Sequence, residues 1–280
     1  MMTNFDWLEW SNPVALWWIF LTSIAMLNIC LWIWTRQYLK RQYRETILTK
    51  YLVLLSAGYV FVCAFRSFLP RADVLKICLF DTWLSNVFVG RSVATVAELC
   101  FVAQWAIVLY CISTVVHSKT TRIISMSIFP IICVAECFSW YAVITTHYLG
   151  NTVEESLWAV TYSLIAVGLL FLLQYFKGAM KYTVVFAILG SLLYIAFMVT
   201  VDVPMYFHRW QQDILNNKPL LGFFEGLQDL QTKWVVTHDI LDWKEEIPWM
   251  SLYFSVAVWT SIALCFVPLT KSQLSPHLKK

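Results

Sequence analysis

Residues 157–175, LWAVTYSLIAVGLLFLLQY, contain no charged side chain and decide the class of the protein. An α-helix needs about 20 consecutive, mostly apolar residues to cross the ~30 Å hydrocarbon core of a bilayer. Within that core every backbone N–H and C=O group needs a partner inside the protein, and a helix supplies one for each of them. The stretch therefore predicts a membrane-spanning helix.

Further stretches of the chain are comparably apolar and long. The predicted spans are residues 13–34, 51–70, 91–116, 123–147, 157–175, 183–201 and 249–268. The chain of 280 residues is 60% hydrophobic and 13% charged, whereas a soluble domain has about 25% charged residues. Alternation of polar and apolar residues, which marks a membrane barrel, is absent. We therefore predict an all-α polytopic protein with seven transmembrane helices, integral to a lipid bilayer, with a single transmembrane domain over residues 1–280.

The charges of the loops predict how the chain is oriented. Loop 35–50 has a single acid, Glu45, and several basic residues: Arg36, Lys40, Arg41, Arg44 and Lys50. The later loops and the tail on the same side are also basic, with Lys119, Arg122, Lys177, Lys181, Lys271, Lys279 and Lys280. Cytoplasmic loops carry such an excess of lysine and arginine. We therefore expect the N-terminus outside and the C-terminus in the cytoplasm.

Two segments on the predicted outer side are more than simple loops. Residues 202–248 form the largest piece outside the spans, and some of their apolar residues recur every three or four positions: Leu220, Phe224, Leu227, Leu230 and Trp234. This spacing predicts an amphipathic helix that caps the bundle or lies on the outer leaflet. Residues 74–90 are mostly apolar but too short and too polar for a span, so they either re-enter the membrane or lie along its surface.

Three charged residues, Arg66, Glu98 and Glu136, fall inside predicted spans. A rise of ~1.5 Å per residue places each of them about 10 Å below the outer membrane face. A charge in hydrocarbon costs a few kcal/mol or more, so such residues usually face a cavity or one another and often carry function. The structural alternative is an ion pair in which Arg66 neutralises one glutamate and holds helices together.

Other polar residues of the same layer extend the candidate site. Arg91 begins the face of the third span that carries Glu98, and Tyr253 lies on the seventh span. Around the mouth we expect further ligand-binding groups: Asp81, Ser85, His208, Arg209 and His238. Asp81 has the alternative role of a helix N-cap before Thr82, and the two histidines have that of solvated loop residues.

The residue types suggest how the site binds. We assign Arg66 and Arg91 to an anionic group, because a guanidinium group pairs well with carboxylate or phosphate. Glu98 and Glu136 are the candidate catalytic residues, as acid, base or cation ligand. We expect a small molecule or a lipid as the ligand.

Motifs for several well-known chemistries are missing from the sequence. There is no HExxH, HxxxH or ExxH spacing for a metal site, no glycine-rich phosphate loop and no GxSxG nucleophile turn. We therefore predict no metal site and leave the cofactor unknown. The eight cysteines lie mostly inside spans and form no CxxC, which argues against a disulfide framework. The basic loops are those of an ordinary membrane protein, so nucleic acid is not expected as a partner.

Three functional hypotheses remain open. The first is an outward-facing polar pocket for a small anionic molecule or a lipid headgroup, in a protein that acts as an enzyme on a lipid or lipid-linked substrate. The second is a transporter or ion-coupled carrier, which needs polar groups through the inner half as well. The third is a receptor or a subunit of a membrane complex that uses residues 202–248 as its partner surface.

Overall fold

The computed structural model describes residues 7–42 and 46–268. The helices in this part of the chain are α1 (Pro13–Gln42), α2 (Ile47–Phe68), α3 (Val87–Val115), α4 (Lys119–Thr145), α5 (Tyr148–Leu173), α6 (Gly178–Phe197), α7 (Val203–Leu215), α8 (Phe223–Thr232), α9 (Ile240–Trp243), α10 (Glu246–Leu252) and α11 (Val258–Leu264). Seven helical segments of the described chain are long and apolar enough to cross a membrane, and each coincides with one predicted span. The prediction of an all-α polytopic membrane protein is confirmed.

The predicted orientation is not tested by the structure. Part of the basic side falls outside the described residues, namely Arg44, Lys271, Lys279 and Lys280, together with the acid Glu45. The placement of the N-terminus outside and the C-terminus in the cytoplasm therefore stays a prediction.

Contacts between residues divide the described chain into two compact units. Unit 1 contains residues 7–42, 46–101 and 227–265, and unit 2 contains residues 102–226 and 266–268. Unit 1 holds α1, α2 and α9 to α11, unit 2 holds α4 to α7, and α3 and α8 contribute residues to both. The single transmembrane domain predicted over residues 1–280 stays a prediction.

In unit 1, local side-chain chemistry sets both ends of α2. The Thr46 side chain accepts a hydrogen bond from the backbone N–H of Thr49 at 3.2 Å, which satisfies one of the first N–H groups that have no partner within the helix. The helix ends at Phe68, one residue before Leu69, whose helical conformation is disfavoured by Pro70. Arg66 therefore lies in the last turn of an apolar helix.

Beyond α2 the chain forms a small hairpin. Strand β1 (Arg71–Ala72) pairs antiparallel with β2 (Ile77–Cys78), and β3 (Val235–Val236) joins β2 in parallel. A 3₁₀ turn at Trp83–Ser85 follows, and α3 begins at Val87. Residues 74–90 thus contain a strand, a short 3₁₀ turn and the start of α3. Whether they re-enter the membrane or lie along its surface stays open.

The seventh span contains a wide turn. It consists of α10, a π-helical segment at Tyr253–Ala257 and α11, and it starts at Glu246, three residues earlier than predicted. Asn28 of α1 donates to the Phe254 carbonyl oxygen at 2.7 Å and accepts from the Trp259 indole N–H at 2.8 Å. These bonds satisfy polar groups around the segment, as an apolar medium requires, and π-helical turns often occur at functional sites.

In unit 2, α4 and α5 form a tightly packed antiparallel pair. Ser118 caps α4, and Thr146 ends it in the left-handed conformation with φ +59°. The approach depends on Gly150 of α5, since a Cβ atom built there would lie 2.8 Å from both the Ala142 Cβ and the Phe138 carbonyl oxygen. This contact fixes which residues of the two helices lie at the same level.

The sixth span differs from its prediction. We expected it to end at residue 201, but α6 continues through a π-helical segment at Met198–Asp202 into α7, so that the whole helical segment runs from Gly178 to Leu215. The widened turn directly precedes Pro204, which has no N–H for a helical hydrogen bond. The helix therefore continues past the predicted span end into the first part of residues 202–248, and the outer position of that segment stays a prediction.

The amphipathic helix predicted in the same segment is present as α8 but is shorter than its spacing suggested. Of the five apolar residues, Phe224, Leu227 and Leu230 lie within α8, while the other two fall outside it. Leu230 is fully buried and the Phe224 side chain is 84% exposed. The two faces of α8 are thus different, as the spacing predicted.

Candidate functional site

Three arginines and two acids of unit 1 interact in one buried group, here called the arginine cluster: Arg66, Arg71, Arg91, Asp73 and Glu98. All five are at least nine-tenths buried. They lie where α2 ends, in the hairpin that follows and in the first four turns of α3. Buried charges need partners of opposite sign, and the cluster supplies them in a group of three, Arg66, Arg71 and Asp73, and in a pair, Arg91 and Glu98.

Asp73 lies between the two arginines of the group of three. Its Oδ1 accepts a hydrogen bond from the Arg71 Nε at 2.6 Å, and its Oδ2 lies 3.6 Å from the Arg66 Nη2. The Arg71 Nη1 also donates to the backbone carbonyl of Ser85. The Arg66 guanidinium lies over aromatic rings, with its Cζ 5.9 Å from the ring centre of Trp249, a cation–π arrangement that stabilises a desolvated positive charge.

The pair of Arg91 and Glu98 joins two different turns of α3. The Arg91 Nη2 donates to the Glu98 Oε2 at 2.7 Å across two helical turns. The Tyr253 hydroxyl, in the π-helical segment of the seventh span, lies 3.5 Å from the other oxygen of Glu98. The Arg66 Cζ lies 5.8 Å from the ring centre of Phe254, the residue after Tyr253, so both parts of the cluster meet the π-helical segment.

The charges explain the titration of the extramembrane acid. Burial by itself raises the pKa of Asp73, but the positive charges of Arg71, Arg66 and Arg91 outweigh burial and lower the pKa below its ordinary value of 3.8. Burial lowers the pKa of Arg71, and Asp73 opposes that effect. Asp73 is therefore held ionised between the guanidinium groups.

This shift predicts a loss of stability in acid. A carboxyl group whose pKa is lower in the folded than in the unfolded state stabilises the fold above the unfolded value and loses that contribution as the pH falls through the folded value. We expect the Tm of the wild type to exceed that of Asp73→Asn at pH 7, and the gap to narrow progressively as the pH falls below about 4. Thermal unfolding in detergent across this range measures it, and a gap that stays constant would contradict the role of Asp73.

Two hydrogen-bond donors of the arginine cluster have no acceptor among the described residues. These are the Arg66 Nε and the Arg71 Nη2, which are both buried. A buried donor without an acceptor costs about 1–3 kcal/mol, and more when it is charged. The cluster can therefore accept a further negatively charged or strongly polar group.

Gly90 of α3 makes room for the buried arginine. A Cβ atom built at Gly90 would overlap the Cδ and Nε of Arg71 and approach the Asp73 Oδ1 to 2.8 Å. Only a residue without a side chain allows Arg71 to pass α3 at this point.

Several predicted ligand-binding residues have other contacts. Asp81 accepts from the Trp234 indole N–H at 3.0 Å, and the helix-cap alternative is wrong because the 3₁₀ turn begins at Trp83 with no side-chain cap. His238 donates through Nε2 to the Leu79 carbonyl at 2.9 Å. These two hydrogen bonds join Leu79 and Asp81, which follow the hairpin, to Trp234 and His238, which flank β3. Ser85 contributes to the arginine cluster through its backbone carbonyl.

The remaining predicted residues lie in unit 2. His208 lies on the exposed side of α7 and shares a hydrogen bond with Gln212 at 3.0 Å. The Arg209 Cζ lies 5.8 Å from the ring centre of Tyr148 and 5.7 Å from that of Tyr206. The predicted Glu136, in the same unit, is buried in α4. The catalytic roles of Glu98 and Glu136 stay predictions.

A carboxylate pair marks the interior of unit 2. Glu136 of α4 and Glu154 of α5 are both buried, and an oxygen of one lies within 4.8 Å of an oxygen of the other. Ser139 and Thr161 have buried hydroxyl groups with no hydrogen-bond partner in the described part of the chain. Unit 2 thus contains polar groups in an otherwise apolar helix pair.

Sequence reasoning missed Asp73 and Glu154 as site residues, whereas Arg71 was expected near the mouth of the site. Asp73 and Arg71 follow Pro70 in a short polar loop, which gave no hint that the hairpin would bury them. Glu154 was placed outside the membrane because its span was predicted from residue 157, whereas α5 begins at Tyr148. A search for acids within two turns of a predicted span end would have found Glu154.

Comparison of the chain with protein-family models, with curated proteins and with solved structures gave no match.

Proposed function

We propose that the protein binds an anionic group, a phosphate or a carboxylate, at the arginine cluster, and that this group belongs to a lipid headgroup or to a small molecule on the outer side of the membrane. Guanidinium groups bind such anions through paired, charge-assisted hydrogen bonds. The observation that carries the proposal is the pair of buried donors, Arg66 Nε and Arg71 Nη2, that have no acceptor among the described residues.

The place of the cluster in the fold favours a ligand at the membrane surface. Arg66 is in the last turn of α2 and Arg91 in the second turn of α3, so both lie at the ends of apolar helices that meet the same side of the membrane. Headgroups occupy this level of a bilayer. Asp73 keeps the two neighbouring guanidinium groups in place while the spare donors remain for the ligand.

A short-chain phosphatidic acid should raise the Tm of the purified protein in detergent, and Arg66→Gln should weaken its binding about 10- to 100-fold. The reason is that one charge-assisted hydrogen bond contributes about 1.5–3 kcal/mol. The measurement is Tm as a function of ligand concentration. The matched control is Arg122→Gln, since Arg122 is an exposed arginine of α4 outside the cluster, and it should leave the response unchanged.

Two comparisons separate the possible sources of the anion. Phosphatidylcholine of the same chain length tests the need for an exposed negative charge, and inorganic phosphate tests whether the acyl chains contribute. If inorganic phosphate stabilises the protein and phosphatidic acid does not, the site is assigned to a small anion. If phosphatidic acid stabilises the protein and inorganic phosphate does not, the site is assigned to a lipid. An equal response to phosphatidylcholine and phosphatidic acid in wild type and Arg66→Gln would overturn the proposal.

The sidedness of the site has its own test. Two positions near the cluster could carry a cysteine for labelling, Lys76 and Trp83. Lys76, in the turn between β1 and β2, is half-buried, whereas Trp83 is exposed and is therefore the better position. In intact cells, a membrane-impermeant thiol reagent should label Trp83→Cys if the site faces outward. Labelling only after the cells are opened would place the cluster on the cytoplasmic side.

A further inference from the structure

We propose that Asn28 of α1 is a positioning residue for the anion site, because it holds the π-helical segment of the seventh span in the shape that directs Tyr253 and Phe254 at the arginine cluster. This role rests on the anion binding proposed for the cluster and deepens it, since it assigns control of the site to a contact between the first and seventh spans. All the residues concerned belong to unit 1.

The first two residues of the π-helical segment contact the arginine cluster. The Tyr253 hydroxyl lies 3.5 Å from the Glu98 Oε1, and the Phe254 ring centre lies 5.8 Å from the Arg66 Cζ. A hydroxyl donor stabilises a carboxylate, and the face of an aromatic ring stabilises a guanidinium group. The direction of these two side chains therefore affects Arg66, which carries one of the donors proposed for the ligand.

The wide turn keeps one face of the seventh span buried along its whole length. Met250 and Phe254 in the first half, and Val258 and Ile262 in the second half, are each at least nine-tenths buried and recur at every fourth position. In an α-helix the direction of such residues drifts by about 120° from Met250 to Ile262. The extra residue of one π-helical turn takes up about 100° of that drift. The wide turn thus sets how the two halves of the span face.

Asn28 supplies the partners that the wide turn requires. The Val258 N–H, which would bond to the Phe254 carbonyl in an α-helix, bonds to the Ser255 carbonyl instead. The Asn28 Nδ2 donates to the Phe254 carbonyl at 2.7 Å, and the Trp259 Nε1 donates to the Asn28 Oδ1 at 2.8 Å. Asn28 is 2% exposed, so no water replaces its amide when it is removed. Its loss therefore favours a return of the turn to α-helical bonding, in which the Phe254 carbonyl regains the Val258 N–H.

A return to α-helical bonding changes the anion site. It rotates the two halves of the span relative to each other by about 100°. With the second half held by its buried residues Val258 and Ile262, Tyr253 and Phe254 turn away from the arginine cluster. We therefore expect the affinity for the anion to follow the state of the turn.

The test is a titration of the full-length protein in detergent with short-chain phosphatidic acid, in which the apparent Kd is taken from the dependence of Tm on ligand concentration. Asn28→Ala should weaken binding about tenfold, as expected for the loss of a desolvated cation–π contact. Trp259→Phe removes only the bond that orients the Asn28 side chain and should weaken binding about threefold. Because Trp259 is exposed, Trp259→Phe gives a result even where Asn28→Ala fails to fold.

Removal of the extra residue should rescue Asn28→Ala. Val256 lies in the wide turn and is exposed. Its deletion allows the span to form a regular α-helix in which the four buried residues stay on one face. The double variant should therefore bind phosphatidic acid within about threefold of the wild type. A purely structural role of Asn28 predicts no rescue, since a deletion within a packed span then only adds a second defect.

Ser251→Ala is the matched control. Trp17 of α1 donates to the Ser251 Oγ at 3.2 Å, so this hydrogen bond joins the same two spans but lies outside the wide turn. The variant should lower the Tm of the free protein and leave the Kd unchanged.

Three results would overturn the role of Asn28 while the anion site stands. They are a loss of affinity in Ser251→Ala as large as that in Asn28→Ala, wild-type affinity in both Asn28→Ala and Trp259→Phe, and a failure of the Val256 deletion to improve Asn28→Ala. A wild type that shows no response to phosphatidic acid, phosphate or carboxylate would instead overturn the anion site, and the role of Asn28 with it.

Discussion

Asp73→Asn should destabilise the protein by about 3–5 kcal/mol at neutral pH, because it leaves two buried guanidinium groups without the carboxylate between them. In the structure this carboxylate contacts Arg71 at 2.6 Å and Arg66 at 3.6 Å. Asparagine has nearly the same shape, so the change removes charge and leaves packing almost intact. The measurement is Tm and denaturant unfolding in the same detergent.

Asp213→Asn is the control for this change. Asp213 forms an ion pair with Lys218 at 2.9 Å in which both side chains are partly exposed, and such pairs contribute about 0–1 kcal/mol. Inorganic phosphate or phosphatidic acid should restore part of the stability of Asp73→Asn, since an added anion takes the place of the lost carboxylate. Equal losses for the two variants would show that Asp73 has no special role in the cluster.

Gly90→Ala should displace Arg71 and thereby lower both stability and anion binding. The added methyl group overlaps the Cδ and Nε of Arg71, and overpacking of this kind costs about 1–3 kcal/mol. Alanine is the better helix former by about 1 kcal/mol, so the measured loss of stability understates the steric conflict. A loss of the rise in Tm on addition of phosphatidic acid measures the displacement of Arg71 more directly than the change in stability does.

Gly190→Ala supplies the matched comparison. Gly190 lies in α6, and a Cβ atom built there has nothing within 4 Å. The same substitution should therefore leave the protein as stable as the wild type or slightly more so. If Gly90→Ala behaves like Gly190→Ala, the close approach of Arg71 to α3 does not exist in the protein.

The helices could be predicted from sequence because the bilayer imposes a length and a polarity that few other structures share. All but the last two residues of the predicted span 157–175 lie within α5, and each of the other predicted spans overlaps a described helix. The ends of the spans were predicted less accurately than their existence. Hydropathy marks where apolar residues stop, whereas a helix stops where its backbone finds other partners, so that α7 continues to Leu215 and α5 begins at Tyr148.

The site was only partly predictable for a related reason. Arg66, Arg91 and Glu98 were recognisable as charges within apolar stretches, and the structure places all three in the arginine cluster. Asp73 was not recognisable, because its burial depends on a two-residue strand pair and on the space left by Gly90. Non-local packing of this kind leaves no periodic signal in the sequence.

The continuous sixth helical segment also determines what can be attached to this protein. Its 38 residues extend for about 57 Å, up to about 27 Å more than the hydrocarbon core requires. The segment is therefore long enough to extend beyond the hydrocarbon core, and the turn at Asn216 that follows it is exposed. A helical fusion partner inserted at this turn would keep a fixed orientation, and it would give electron microscopists a fiducial mark on a membrane protein of only 32.6 kDa.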